Sequence, residues 1–125
     1  HLCSVGQRVY FPQSVCMNTG RVVYSRFRLG MTQLKTNKLR YTNTDAEAMK
    51  CDLCNLAVEN EYHLLFVCPF YQDLRCRFLG QFFDLESFIN QRMEILDTQN
   101  PRRIRSLALF VFYALELRQE ATGED

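Results

Sequence analysis

The stretch CDLCNLAVENEYHLLFVCPF, residues 51–70, sets Cys51, Cys54, His63 and Cys68 at C-x2-C-x8-H-x4-C spacing. Two thiols separated by two residues sit on one tight turn and can face a single ion, and tetrahedral Zn²⁺ takes four thiolate or imidazole ligands. The chain must then return with the second pair. NEYHLLFV, residues 60–67, reads as a short helix presenting His63. Cys68, five residues on, closes the site only if the helix ends there, and Pro69 supplies the stop. The competing reading keeps Cys54 and Cys68 as core thiols and His63 as a satisfied helix histidine, because free cysteine packs well beside Leu64, Leu65, Phe66 and Val67. On the metal reading the ion is structural, one Zn²⁺ per chain, since four protein ligands fill the tetrahedron and leave no open position.

Around this element the apolar pattern is helical. In RVVYSRFRL, residues 21–29, Val23 and Phe27 share one face and Arg21, Ser25 and Arg28 the other, with Gly30 as the stop. A second helix is expected over about 32–41, and Thr44 with Glu47 reads as a capping box for a short turn. After Pro69, the run to residue 83 places Leu74, Phe78 and Phe82 on one face, and Asp84 caps a helix with Phe88, Ile89 and Ile95 or Leu96 inward. Asn100 before Pro101 forms an N-cap and N1 pair for a last helix over 101–119, whose Leu107, Phe110, Val111, Ala114 and Leu115 demand burial. The expected fold is mostly α, a small helical domain with an inserted zinc knuckle. One domain is expected over 1–125: an irregular lead-in at 1–19, a basic helical part at 20–48, the knuckle at 49–69, a helical core at 70–119 and a charged tail at 120–125.

At 125 residues and 47% apolar content the chain is long enough to bury one core. Its longest apolar run, LALFVFYAL at 107–115, falls short of the about 20 residues that cross a bilayer, so no membrane partner is expected. Because it begins at His1, the chain is expected to be an excised domain, with a removed targeting segment left open. C-x2-C with a partnered histidine places it in a reducing compartment, intracellular in nucleus or cytoplasm. Cys3, Cys16 and Cys76 are read as structural thiols, with a Cys3–Cys16 disulfide as the alternative. The net charge of +1 hides a gradient: residues 1–50 carry eight Lys/Arg against two Asp/Glu, and residues 51–100 three against eight. Catalysis is not expected. His63 is used as a ligand, His1 is terminal, and the chain has no H-E-x-x-H, phosphate loop or G-x-G-x-x-G.

FRLGMTQLKTNKLRYTN followed by CDLCNLAVENEYHLLFVCPFYQDLR resembles the C-terminal zinc region of LINE-type (non-LTR) retrotransposon reverse transcriptases over about residues 20–76. Arg26, Arg28 and Gly30 are followed by the basic segment from Lys35 to Arg40. Then come Cys51 and Cys54, Glu59 and Glu61, His63, Cys68 and Pro69, and finally Tyr71, Leu74 and Arg75. The resemblance implies that Cys51, Cys54, His63 and Cys68 bind zinc and that the domain helps a polymerase engage template RNA or target DNA. The Asp-Asp pair of a polymerase palm and a restriction-type nuclease signature are both absent, so the domain would be non-catalytic, part of an element or captured by a host gene.

Two functions therefore stand. In the first, a nucleic-acid-binding module uses Arg21, Arg26, Arg28, Lys35, Lys38 and Arg40 on phosphates, with Tyr41 or Tyr71 stacking on an unpaired base. In the second, zinc holds together a protein–protein interaction surface, which near-neutral charge favours. Arg102, Arg103 and Arg105 open a helix at its positive end and so point to an external anion.

Overall fold

A computed structural model describes residues 17–39, 42, 45–80 and 93–123. Among them every regular element is helical, and the β pairing consists of an isolated antiparallel bridge between Lys50 and Val58. Helix α1 (Met17–Arg28) starts within the segment expected to be irregular and stops where the glycine predicts. Gly30 has φ 72°. There the Met31 N–H donates to Arg26 O at 2.8 Å and the Gly30 N–H to Phe27 O at 3.2 Å. Such paired bonds satisfy the last-turn carbonyls around a left-handed residue, which glycine adopts without a Cβ clash. Phe27 and Tyr24 are buried and Val23 is partly so, while Arg21, Arg26 and Arg28 are exposed.

The second helix is much shorter than expected: α2 is the single turn Lys35–Lys38. Local side-chain bonds compete with the helix on its N-terminal side. Asn37 Oδ1 accepts from the Thr32 N–H and hydroxyl, and Thr32 Oγ1 from the Leu34 N–H, which leaves Leu34 extended at ψ 144°. Tyr41 lies outside the described residues. The turn Glu47–Met49 is 3-10, and Asp45 Oδ1 accepts from the Ala48 N–H at 3.1 Å, whereas the expected cap Thr44 lies outside the described residues.

Beyond the cysteine segment, a 3-10 turn (Pro69–Tyr71) runs into α3 (Gln72–Phe78), which ends in a turn at 79–80 instead of continuing to 83. Phe78 stacks on Tyr113 with centroids 5.7 Å apart, and Leu74 and Leu79 enter the core. Cys76 is disulfide-bonded and not the structural thiol expected, while Cys3 and Cys16 lie outside the described residues. Most of the helix expected after Asp84, with Phe82, Phe88 and Ile89, lies outside the described residues. Its end appears as a 3-10 segment, Met93–Asp97, where Ile95 and Leu96 pack against the core.

Helix α4 (Pro101–Thr122) organises the rest, packing against α1 and α3 with Leu107, Phe110, Val111 and Ala114 buried. It extends into the segment expected as a tail before stopping at Gly123, φ 74°. Among the described residues, no helix is long and apolar enough to cross a membrane. Asn100 caps α4 as expected: its Oδ1 accepts from the Arg102 N–H at 2.9 Å and the Arg103 N–H at 3.3 Å. Asn100→Ala is therefore expected to destabilise the fold by about 1 kcal/mol. Denaturant titration would show this as a lower midpoint at unchanged slope.

Candidate metal centre

Cys51, Cys54, His63 and Cys68 converge, their ligand atoms all within 4.8 Å of one another. Cys51 Sγ and Cys68 Sγ are 4.0 Å apart, and Cys54 Sγ lies 3.3 Å from His63 Nε2. A tetrahedron with metal–sulfur bonds of about 2.3 Å and metal–nitrogen bonds of about 2.0 Å has S···S edges of about 3.8 Å and S···N edges of about 3.5 Å. The observed separations fall on both sides of those values, so the cluster can hold a metal ion with small side-chain adjustments.

The first two ligands ride on a pinched loop. The Cys51 N–H donates to Ala57 O at 2.9 Å and the Glu59 N–H to Met49 O at 2.8 Å, which clamps the loop's base across the Lys50–Val58 bridge. At its tip Asn55 takes φ 59°, a conformation asparagine tolerates better than most residues. Inside the loop the backbone amides of Leu53 and Cys54 partly offset the rise that burial causes at Cys51, and that of Phe70 does so at Cys68. They favour the thiolate, the form in which cysteine ligates.

His63 and Cys68 are joined by a wide turn. His63–Val67 is wound as a π-helix, and the Cys68 N–H donates to His63 O at 2.9 Å. Five-residue closure of this kind lets both side chains serve one centre, where an α-turn would align residues four apart. Asn60 starts the turn, its Oδ1 accepting from the His63 N–H at 2.8 Å. Pro69 has no N–H to return to the turn's last carbonyls, and buried Arg75 takes over. Its Nε donates to Leu65 O at 2.6 Å and its Nη2 to Leu64 O and Cys68 O at 3.0 Å each.

Burial also sets the protonation of the cluster. Burial pushes the Cys68 thiol up to about 12 and raises Cys51 as well, while it holds His63 below the ordinary imidazole range. Without an ion Cys51 and Cys68 are thus neutral thiols beside a neutral imidazole. Tyr71 shares this environment: burial, with Glu59 and the two thiols adding to it, raises its hydroxyl. At 1% exposure Tyr71 cannot serve as the base-stacking platform expected from sequence.

A second buried polar unit couples this segment to the core. Glu59 and Arg118 are each 2% exposed. Arg118 donates from Nε to Oε2 at 2.7 Å and from Nη2 to Oε1 at 3.0 Å, and the Lys35 N–H adds a third bond to Oε1 at 3.1 Å. One carboxylate thus ties α4 and the start of α2 to the metal-binding segment. Arg118 carried a usable signal in the sequence, since it follows Val111 and Ala114 on the buried stripe of α4, where a charge requires a partner.

The basic residues singled out in the sequence divide among surfaces. Lys35 pairs with Asp52 at 2.7 Å beside the cysteine loop. Arg26 lines a depression with Met31 and Glu116, and Lys38 is exposed. Arg40, like Tyr41, lies outside the described residues. Arg21 and Arg28 line a groove of about 680 Å³ between α1 and α4, and Arg102 and Arg105 line the same groove from the other side. Comparison with family models, curated proteins and solved structures yields no match.

Proposed function

We propose that the chain is a non-catalytic, zinc-stabilised nucleic-acid-binding module of the kind found at the C-terminus of LINE-type reverse transcriptases, serving template RNA or target DNA. Three thiols and an imidazole at tetrahedral spacing suit Zn²⁺ above the harder divalent ions. Cys51, Cys54, His63 and Cys68 would hold it, and the ion would supply rigidity. Free thiols at the cluster accord with a reducing compartment, nucleus or cytoplasm, although the disulfide at Cys76 favours an oxidising one.

The binding reading is carried by the α1–α4 groove, where Arg21, Arg28, Arg102 and Arg105 meet from opposite ends of the described chain. Neither α1 nor the first turn of α4 contains an acidic residue. At the start of α4 the arginines add to the positive end of the helix dipole, an arrangement that a bound anion relieves. The Arg28–Asp97 pair, 3.7 Å apart and largely exposed, is a weak competitor for phosphate.

Fluorescence anisotropy with labelled RNA and DNA over a salt series tests this. Affinity is expected to fall with a log–log slope of about −2 to −3, as three or four phosphate contacts release their counterions. The protein-interaction reading draws on one observation: Tyr62, Val67 and Phe70, beside the cluster, are each 39–40% exposed. Absence of binding at low salt to either nucleic acid would leave that reading as the better one.

A further inference from the structure

The lining between the arginines is apolar, with Tyr24 from α1 and Ile104 and Leu109 from α4. Two features there lack a packing explanation. Tyr24 is more than nine-tenths buried, yet its hydroxyl has no hydrogen-bond partner. An unmet buried hydroxyl is costly unless a ligand completes it. Gly20 stands inside α1, where glycine weakens a helix relative to alanine. A Cβ built on it meets nothing within 4 Å, and Gly20 lines this same groove.

We propose, building on the nucleic-acid reading above, that the α1–α4 groove takes a single strand. Its phosphates lie along Arg21 and Arg28 on one wall and Arg102 and Arg105 on the other, the Tyr24 hydroxyl donates to a strand oxygen, and an unpaired base rests on Ile104 and Leu109. A duplex satisfies the arginines but not this lining, because its bases are stacked inside and offer no apolar face. Basic walls with an apolar or aromatic floor are the recurrent solution for single strands. Burial keeps Tyr24 protonated and therefore a donor, with Arg28 opposing that shift and Asp97 adding to it.

The test is anisotropy at one fixed salt concentration with labelled oligouridine, oligothymidine and an RNA duplex, using the whole chain with its metal. Wild type is expected to bind either single strand about tenfold more tightly than the duplex, as expected when base contacts add to phosphate contacts. Gly20→Leu adds a branched side chain to the groove lining without altering charge and is expected to weaken single-strand binding about tenfold while helicity by circular dichroism holds or rises. Tyr24→Phe keeps the buried ring and is expected to weaken binding about threefold to tenfold through the lost hydroxyl. Arg77→Gln, on exposed α3 surface and outside the groove lining, is expected to stay within about twofold, since it touches no part of the groove. Equal or tighter duplex binding, or unchanged single-strand binding in folded Gly20→Leu and Tyr24→Phe, overturns the groove assignment and leaves the nucleic-acid reading intact. Failure of wild type to bind any of the three probes overturns both.

Discussion

Purified under reducing conditions without added metal, the protein is expected to carry one zinc per chain, and Cys54→Ser to carry none. Native mass spectrometry reads this directly. The energetic consequence is large, because structural zinc in a small site contributes about 10 kcal/mol or more of folding free energy. Loss of one ligand leaves Cys51, His63 and Cys68 as buried groups around an empty centre, and the loop at 51–58 keeps only its hydrogen bonds and the exposed Lys35–Asp52 pair among the described contacts. Cys54→Ser should therefore melt well below wild type and lose helicity in the π-turn and in α3, which continues from Cys68 through the Pro69–Tyr71 turn. Zinc affinity should also rise with pH. The raised thiols of Cys51 and Cys68 are protonated at neutral pH when metal-free, so binding displaces their protons, and each makes uptake easier as pH increases. Folded, zinc-free wild type whose melting matches Cys54→Ser would refute the metal assignment.

Glu59→Ala is expected to destabilise the fold by about 3–5 kcal/mol, because it takes the paired carboxylate away from a guanidinium that is 2% exposed. Arg118→Met should cost a similar amount by leaving the carboxylate buried with only the Lys35 N–H as donor. The double variant Glu59→Leu/Arg118→Met should recover much of the loss, since replacing both members of a buried ion pair with apolar groups is often near neutral. Full recovery is not expected, as the Lys35 N–H then lacks its acceptor. Chemical denaturation of the four proteins closes the cycle. Strictly additive losses would show that the pair does not couple the metal segment to α4. The location makes this pair consequential: Glu59 lies between the second and third ligands, so loosening it should also lower zinc affinity.

Local signals were legible because they depend on neighbours in the chain. The C-x2-C turn, the stop at Gly30, the Asn100–Pro101 start of α4 and its buried stripe each rest on short-range sterics, capping or helical periodicity, and each appears as expected. Where local chemistry offers two answers, the structure takes the one that periodicity does not show. Helix propensity over 32–41 lost to the Thr32 and Asn37 side-chain bonds, and α3 ended early at 79–80.

By itself, then, the sequence determined a helical chain with four candidate ligands at metal spacing. The tertiary structure decided how the five-residue gap between His63 and Cys68 closes, through a π-turn whose free carbonyls Arg75 satisfies from ten residues downstream. It decided that Tyr71 is buried, that Arg118 reaches Glu59, and that Arg21 and Arg28 share a groove with Arg102 and Arg105. The physical reason is common to all of these. A periodic pattern specifies which face of a helix turns inward, but the partner across the interface depends on how helices dock, and docking brings together residues that no local spacing relates.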